Sequence, residues 1–471
     1  MLENTMTTPL LRICPFQPAD ARHFCRLFKP LDREETFDVE TMTKLGKSMS
    51  RVKPMTDVGA DTPPVAYTYF GQFIDHDLTR DDTLFADAGL NEPKKTRNYG
   101  GGRLDLSHIY GDGPGSECDG KLYDKDGASF RLGKVCSTIT NQQFDLPLDD
   151  DGLPSSADDR TPENLILRQL CVMFMRLHNI AVLQSSGTPT QRYRAARQRV
   201  VWQYQWLVRR SFMWRVLDEE VYADVIRHAN GGLIEWGDSG FSVPVEFSQA
   251  AFRFGHSMVR EKYNLNDQPD FPLEAIFRGP ERKTALSKEH AIDWSKMTTE
   301  GGQSARSIDP FIVTPLFKLP DDQFHHRRGK PNCPLPHQLP VRTLRRGAAT
   351  RLPTGEQVAA ALKHESFSQK PSSPTALFAL KRLAKYGLEG KTPLWYYILL
   401  EAEVEKGGNR LGTIGSRLVG EVIEGSLRTD PDSYVVQCGS DWNPPDWVSP
   451  FWSGAIENIL GAAAVSGLYR I

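Results

Sequence analysis

The strongest helical pattern in the chain runs over 161–184, and it sets the fold class. Leu165, Leu167, Leu170, Val172, Phe174 and Leu177 recur with helical spacing, and no glycine or proline follows Pro162. That proline sits where a first helical turn tolerates it, because its missing N–H has no partner there in any case. Further helices are expected from about Pro63 to Leu78, from about Thr190 to His228 and from about Pro244 to Arg260. Gly355–His364 reads as a short helix capped by Thr354, and 392–406 begins another. Strand-like alternation is scarce, so the class is mainly α, with very little β.

Between these helices the chain is punctuated. Residues 80–160 are loop-rich, broken by Gly100-Gly101-Gly102, Gly111-Asp112-Gly113-Pro114-Gly115 and Asp149-Asp150-Asp151-Gly152. Residues 1–60 mix proline, aspartate and short apolar pieces, and read as an irregular N-terminal segment packing on the core. Residues 319–340 read as coil. The 471 residues suffice for a large core, and 57 Lys+Arg against 59 Asp+Glu argue against a dedicated nucleic-acid or polybasic membrane binder. No apolar run approaches the about 20 residues of a membrane helix. The first residues, Met1-Leu2-Glu3-Asn4-Thr5-Met6, carry an acid and no apolar core, so a cytoplasmic chain is expected as given, with secretion by another route left open. Cysteines at 14, 25, 118, 136, 171, 333 and 438 are sparse and show no C-x-x-C, which points to free thiols. Cys118 and Cys136 bracket a Gly/Asp-rich loop and remain a possible pair.

Chemistry concentrates at residues 71–77, Gly-Gln-Phe-Ile-Asp-His-Asp. On a helix Gln72, Asp75 and His76 stand at i, i+3 and i+4 and share one face. Polar groups buried so close together need partners or a cofactor. Alone, the heptapeptide suits a satisfied core histidine equally well. Three other segments join it: Asp159-Arg160-Thr161-Pro162-Glu163-Asn164, which leads into Arg176-Leu177-His178-Asn179; Ala251-Phe252-Arg253-Phe254-Gly255-His256; and Leu104-Asp105-Leu106-Ser107-His108-Ile109-Tyr110-Gly111.

In this order and spacing the four segments resemble the animal-type haem peroxidases of the peroxidase–cyclooxygenase superfamily, most of all its short bacterial members. The resemblance covers roughly 60–455 and implies one mostly helical catalytic domain, here 61–460, with haem b sandwiched between helices. It implies that His76 is the acid–base that moves a proton between the oxygens of hydrogen peroxide. Arg160 would stabilise the charge that builds on the leaving oxygen, and Gln72 would line the same pocket. His256 would be the iron ligand. Asp75 and Glu163 stand where the family forms ester bonds to haem, and Asn164 where one mammalian member has a methionine, so no sulfonium link is expected. Arg253 and Arg346 match positions that pair with haem propionates. Arg346 lies among Arg342, Arg345 and Arg351, a run that also suits a solvated face.

Two departures from the family pattern stand out. Thr343, in Thr-Leu-Arg-Arg-Gly, occupies the place of the asparagine that usually accepts a hydrogen bond from the iron-bound histidine. The family's calcium loop corresponds to Asp77 with Gly101, Arg103, Asp105 and Ser107, where Gly101 replaces a threonine. A calcium site is expected; the other reading is a glycine-rich loop in which Asp105 caps a turn. His178 reads as a packed structural residue, and His325-His326 beside Arg327-Arg328 as a solvated loop.

The implied activity is a peroxidase oxidising halides, thiocyanate or phenols through a ferryl intermediate, with no membrane or nucleic-acid partner. One rival is a fatty-acid haem dioxygenase of the same superfamily, which needs a tyrosine three residues before the iron-ligating histidine; here that residue is Arg253. Another is an adhesion or scaffold relative, some of which use Arg-Gly-Asp, a tripeptide this chain lacks. Oligomeric state is left open.

Overall fold

The computed structural model describes residues 23–50, 62–81, 96–134, 144–227, 233–234, 236, 241–266, 270–278, 286, 288–298, 302–319, 337–368 and 373–444. As expected, the described residues are mainly helical, and their strands form two short antiparallel pairs. Gly133–Lys134 lies against Phe144–Asp145, and Lys262–Tyr263 against Phe271–Pro272.

The first five helices in chain order build the scaffold around the second of them, which carries the site. Helix α1 (Val39–Ser48) is capped by Asp38, whose carboxylate accepts from the Thr41 amide at 2.7 Å. It lies in a segment read from sequence as irregular, and it packs on the helix Leu339–Ala349. Gly46 permits that approach, since a Cβ there would stand 2.8 Å from the Val341 Cα. Helix α2 (Ala66–Leu78) buries Phe70, Phe73 and Ile74 and stops where Thr79 turns extended. Each of those side chains contributes roughly 1.5–3 kcal/mol of burial. Phe73 stacks on Phe174 at 5.0 Å, fixing α2 against α4 (Leu165–Leu183). The short α3 (Ser107–Tyr110) follows Leu106, which takes a left-handed conformation at φ 58°. Helix α5 (Pro189–Leu207) opens on a Thr188–Gln191 capping box.

Three helix expectations need correction. The 161–184 run is not one α-helix: Thr161–Glu163 forms a 3-10 turn, then Asn164 turns extended and caps α4 by accepting from the amides of Ile166 and Leu167. Asparagine prefers that capping role to a helical interior. The 190–228 run passes from α5 through a π-turn at Val208–Phe212, breaks at Leu217 and resumes at Glu219–Arg227. The 244–260 run breaks at Ala250 (φ −135°, ψ −72°) into Val245–Gln249, a 3-10 turn Ala251–Phe254 and a last turn Gly255–Met258.

Helix α4 is, among the described residues, the one helix long and apolar enough to cross a membrane, although the sequence reading found no such run. In the fold 78% of that stretch is buried between α2 and α5. The helices Leu394–Lys406 and Thr413–Thr429 complete the core; Leu394 through Ala402 are all buried. A buried bidentate pair from Arg209 to Glu424, at 2.8 and 3.0 Å, ties the π-turn to the second of them.

Candidate functional site

One face of α2 opens onto a cavity. Gln72, Asp75 and His76 all line it, as their i, i+3, i+4 spacing predicts. The cavity is also bounded by Phe252, Arg253, Phe254 and His256 from the broken 245–258 segment. Met258, Val259, Phe277, Leu316 and Leu339 supply apolar wall. Burial, followed by the nearby charge of Arg160, holds the His76 imidazole well below its ordinary value, so it is neutral at pH 7. Asp75 accepts from the Thr79 hydroxyl at 2.9 Å. Burial pushes its carboxyl up, against the lowering charges of Arg253 and Arg160.

Arg160 does not line the cavity with Glu163. The two were expected on one helix, but Arg160 precedes the 3-10 turn and only Glu163 faces the cavity. The Arg160 guanidinium donates to the His76 carbonyl at 2.9 Å, to the Thr79 carbonyl at 2.9 Å and to both oxygens of Asp158. Burial alone would raise the Asp158 carboxyl, but Arg160 outweighs it and holds the group well below the usual carboxylate range. Arg160 thus braces the end of α2 through its backbone and places a fixed positive charge beside His76.

On the other wall, His256 is set by a neighbouring helix. Trp395 donates its indole N–H to the Arg253 carbonyl at 3.1 Å, and its ring meets the His256 imidazole edge-on at 6.0 Å. His256 Nδ1 is buried with no hydrogen-bond partner. Thr343, the residue in register with the family's acceptor, donates its hydroxyl to the Leu339 carbonyl one helical turn back, at 3.0 Å. A threonine on a helix makes that local bond readily, and the bond leaves His256 unserved. Burial, with the charges of Arg253 and Arg342, lowers the His256 imidazole to about 3.

Arg253 donates to the Ser248 carbonyl at 2.9 Å, and among the described residues no carboxylate lies within ion-pair distance of it. Arg342 also lines the cavity. Arg346 was matched to a propionate partner, but it pairs with Asp81 and is not part of the cavity wall.

A second polar centre sits behind His76. The Asp77 carboxylate is fully buried and takes the Leu106 amide at 3.0 Å, the Ser107 hydroxyl at 3.3 Å and His108 Nδ1 at 3.0 Å. Asp105 accepts from the Ser107 amide at 3.0 Å and meets Arg197 at 3.4 Å. Burial, then repulsion from Asp77, pushes the Asp105 carboxyl up to about 6. Asp77, Asp105 and Ser107 therefore share one neighbourhood. Gly101 has a left-handed backbone (φ 77°), and the Arg103 side chain turns away to Asp430 at 3.5 Å. Two carboxylates held together with a hydroxyl suit a hard cation such as calcium.

Haem fits the cavity by the chemistry of its walls. Imidazoles stand on two walls (His76 and His256), guanidiniums at Arg253 and Arg342, carboxyls at Asp75 and Glu163, and the remainder is largely apolar. Several participants escaped the sequence reading: Asp158, Thr79, Asp81, His108, Arg342 and Trp395. Of these, Asp158, two residues before Arg160, His108, inside the Leu104–Gly111 segment, and Arg342, in the arginine run, left a sequence signal. Another group of metal-ligand type, His364 with Glu401 and Glu405, instead caps the 413–429 helix, whose first amides Glu401 and Glu405 accept. Cys25, Cys118, Cys171 and Cys438 are free thiols, while Cys136 and His325-His326 lie outside the described residues.

The model of the animal haem peroxidase family matches residues 84–326. That span includes Asp105, Arg160, Glu163, Arg253 and His256, and leaves Gln72 to Asp77, Thr343 and Arg346 outside. No curated protein matches the chain at the sequence level. Among solved structures, peroxidase A from Dictyostelium discoideum is similar at a TM-score of 0.63 and 16% identity, over 94% of this chain and 92% of that one. A fatty acid alpha-dioxygenase from Arabidopsis thaliana reaches 0.65 at 15% identity, over 94% and 77%. One from Oryza sativa reaches 0.66 at 14% identity, over 93% and 84%. At such identities the likeness shows the fold alone.

Proposed function

This chain belongs to the animal haem peroxidase family, and from that membership we propose that it uses hydrogen peroxide to oxidise small donors such as halides, thiocyanate or phenols. The observation that carries the reading is one cavity lined by both His76 and His256. Haem, when bound, would supply redox-active iron; His256 would be its ligand, and Arg253 and Arg342 would hold its propionates. His76 is neutral, so it accepts the proton from one peroxide oxygen and returns it to the other. Arg160, held by Asp158, acts on the site from behind His76: it braces the His76 carbonyl, and its charge favours the neutral imidazole. Gln72 adds an amide to the same wall.

Asp75 and Glu163 line the cavity at two places and are the carboxyls for ester bonds to haem. Ca²⁺ at Asp77, Asp105 and Ser107, completed by backbone carbonyls at Gly101 and Arg103, would relieve the repulsion between the two carboxylates. Against dioxygenase activity stands Arg253, three residues before His256, where the dioxygenase branch requires a tyrosine.

The test is reconstitution with haem, a spectrum before and after peroxide, and acid–acetone extraction. A haem spectrum that responds to peroxide, with oxidation of guaiacol or halide, is expected. Failure to retain haem sinks the reading, and formation of a lipid hydroperoxide from fatty acid and oxygen in place of donor oxidation replaces it with the dioxygenase. Haem that extracts freely after peroxide treatment removes only the esters.

A further inference from the structure

Behind α2 lies a buried cluster of rings to which the haem chemistry assigns no role. Its centre is Tyr110, whose hydroxyl meets His178 Nδ1 at 3.1 Å. The second nitrogen, His178 Nε2, lies 2.9 Å from the Ala128 carbonyl. A carbonyl only accepts, so Nε2 carries the proton and Nδ1 offers its lone pair; the Tyr110 hydroxyl must then be the donor. Burial lowers the His178 imidazole to about 4, although the Ala128 bond opposes this, so the ring is neutral at pH 7 and its Nδ1 lone pair faces the Tyr110 hydroxyl. A buried phenol aimed at a neutral imidazole loses an electron more easily than an isolated phenol, because its proton has a place to go.

Ring contacts and shared helices link α2, which lines the cavity, to this pair, and further ring contacts lead on to Tyr193. Phe73, one turn before His76 on α2, meets His108 at 4.4 Å and Phe174 at 5.0 Å. His108 shares α3 with Tyr110, and Phe174 precedes His178 by one turn of α4. Outward, Tyr110 meets Tyr193 at 6.1 Å, and Tyr123 meets Tyr193 at 5.6 Å with their hydroxyls 3.5 Å apart. The Tyr123 hydroxyl donates to the Tyr110 carbonyl at 2.7 Å. Tyr193 is the outermost of the three, 9% exposed.

We propose that Tyr110 and His178 form a redox site that carries one oxidising equivalent from the cavity to Tyr193, where phenolic donors too bulky for the cavity are oxidised. The proposal rests on the peroxidase reading for the origin of that equivalent. Tyr110 gives one electron to the peroxide-derived oxidant in the cavity and its phenolic proton to His178 Nδ1. The products are a neutral phenoxyl radical and an imidazolium that keeps its Nε2 proton on the Ala128 carbonyl. An external phenol then supplies one electron through Tyr193 and Tyr123 and releases its own proton to water, and the proton on Nδ1 returns to the Tyr110 oxygen.

The test uses the haem-loaded protein, freeze-quenched after peroxide, with electron paramagnetic resonance as the readout and a phenol tethered to dextran as the bulky donor. A tyrosyl signal is expected in the wild type. It should disappear in Tyr110→Phe, together with oxidation of the tethered phenol. His178→Gln keeps an acceptor for Tyr110 and a donor for Ala128 but has no basic nitrogen, so it should also lose the signal. An undiminished signal in either variant, or none in the wild type once the haem spectrum has responded to peroxide, overturns the proposal. If the haem spectrum does not respond, the peroxidase reading fails. Flash-generated tris-bipyridyl ruthenium(III) then supplies the one-electron oxidant directly, and absence of a Tyr110 radical under that oxidant overturns the redox pair itself.

Discussion

Arg160 acts on His76 through the backbone: it donates to the His76 and Thr79 carbonyls while Asp158 holds its fork. The acid–base step is thereby left to a single neutral imidazole. His76→Ala should retain haem, because the proposed ligand is His256 on a separate segment, and lose roughly 10²–10⁴-fold in peroxide turnover. Steady-state guaiacol oxidation checks this, and unchanged turnover removes His76 from the role. Thr343 makes the complementary case, since its bond to Leu339 leaves His256 Nδ1 without an acceptor. In Thr343→Asn a longer amide oxygen becomes available to His256, which raises the basicity of the ligand. The expected outcome is a lower iron reduction potential in the haem-loaded protein by spectroelectrochemistry, and no shift would mean that the introduced amide does not reach His256.

At the scale of elements, the site depends on where helices stop. Asn164 ends the 3-10 turn that directs Glu163 into the cavity and begins α4, so one side chain terminates the first element and caps the next. Asn164→Ala should cost about 1 kcal/mol, within the roughly 0.5–2 kcal/mol range for a lost cap. Urea unfolding reads that as a lower midpoint at constant slope. The break at Ala250 plays the same part for the other wall, since a straight 244–260 helix would not make the turn at which Trp395 holds Arg253. Helix existence was legible at α2, α4 and α5 because apolar spacing is a local signal. These interruptions were not, because an asparagine cap or a single extended residue looks like any other position in a helical run.

For the whole molecule, buried histidines link stability to pH. His178 titrates near 4 in the fold because burial disfavours its charged form, against about 6.5 for a free imidazole. The unfolded chain therefore takes up this proton as pH falls through about 6.5, while the folded chain resists until about 4. The contribution of His178 is full above that window and is lost as pH falls through it, on the order of 3 kcal/mol in total. Chemical denaturation at pH 7, 5.5 and 4.5 should show the decline, and His178→Gln should reduce it, leaving the share of His76 and His256. An equal slope in the variant would assign the decline to other groups.

The sequence by itself determined the fold class and the inventory of reactive groups. Helical spacing and the order of His76, Arg160, Glu163 and His256 are properties of the chain alone. The tertiary structure decided which groups serve together. It withdrew Arg160 from the cavity wall to Asp158, turned Arg346 to Asp81 and brought in Arg342. It also left His256 Nδ1 alone and paired Tyr110 with His178 across separate elements. Hydrogen bonds and ion pairs are short-ranged and directional, so their partners are fixed only when packing brings distant segments within about 3 Å. No spacing along the chain encodes that distance.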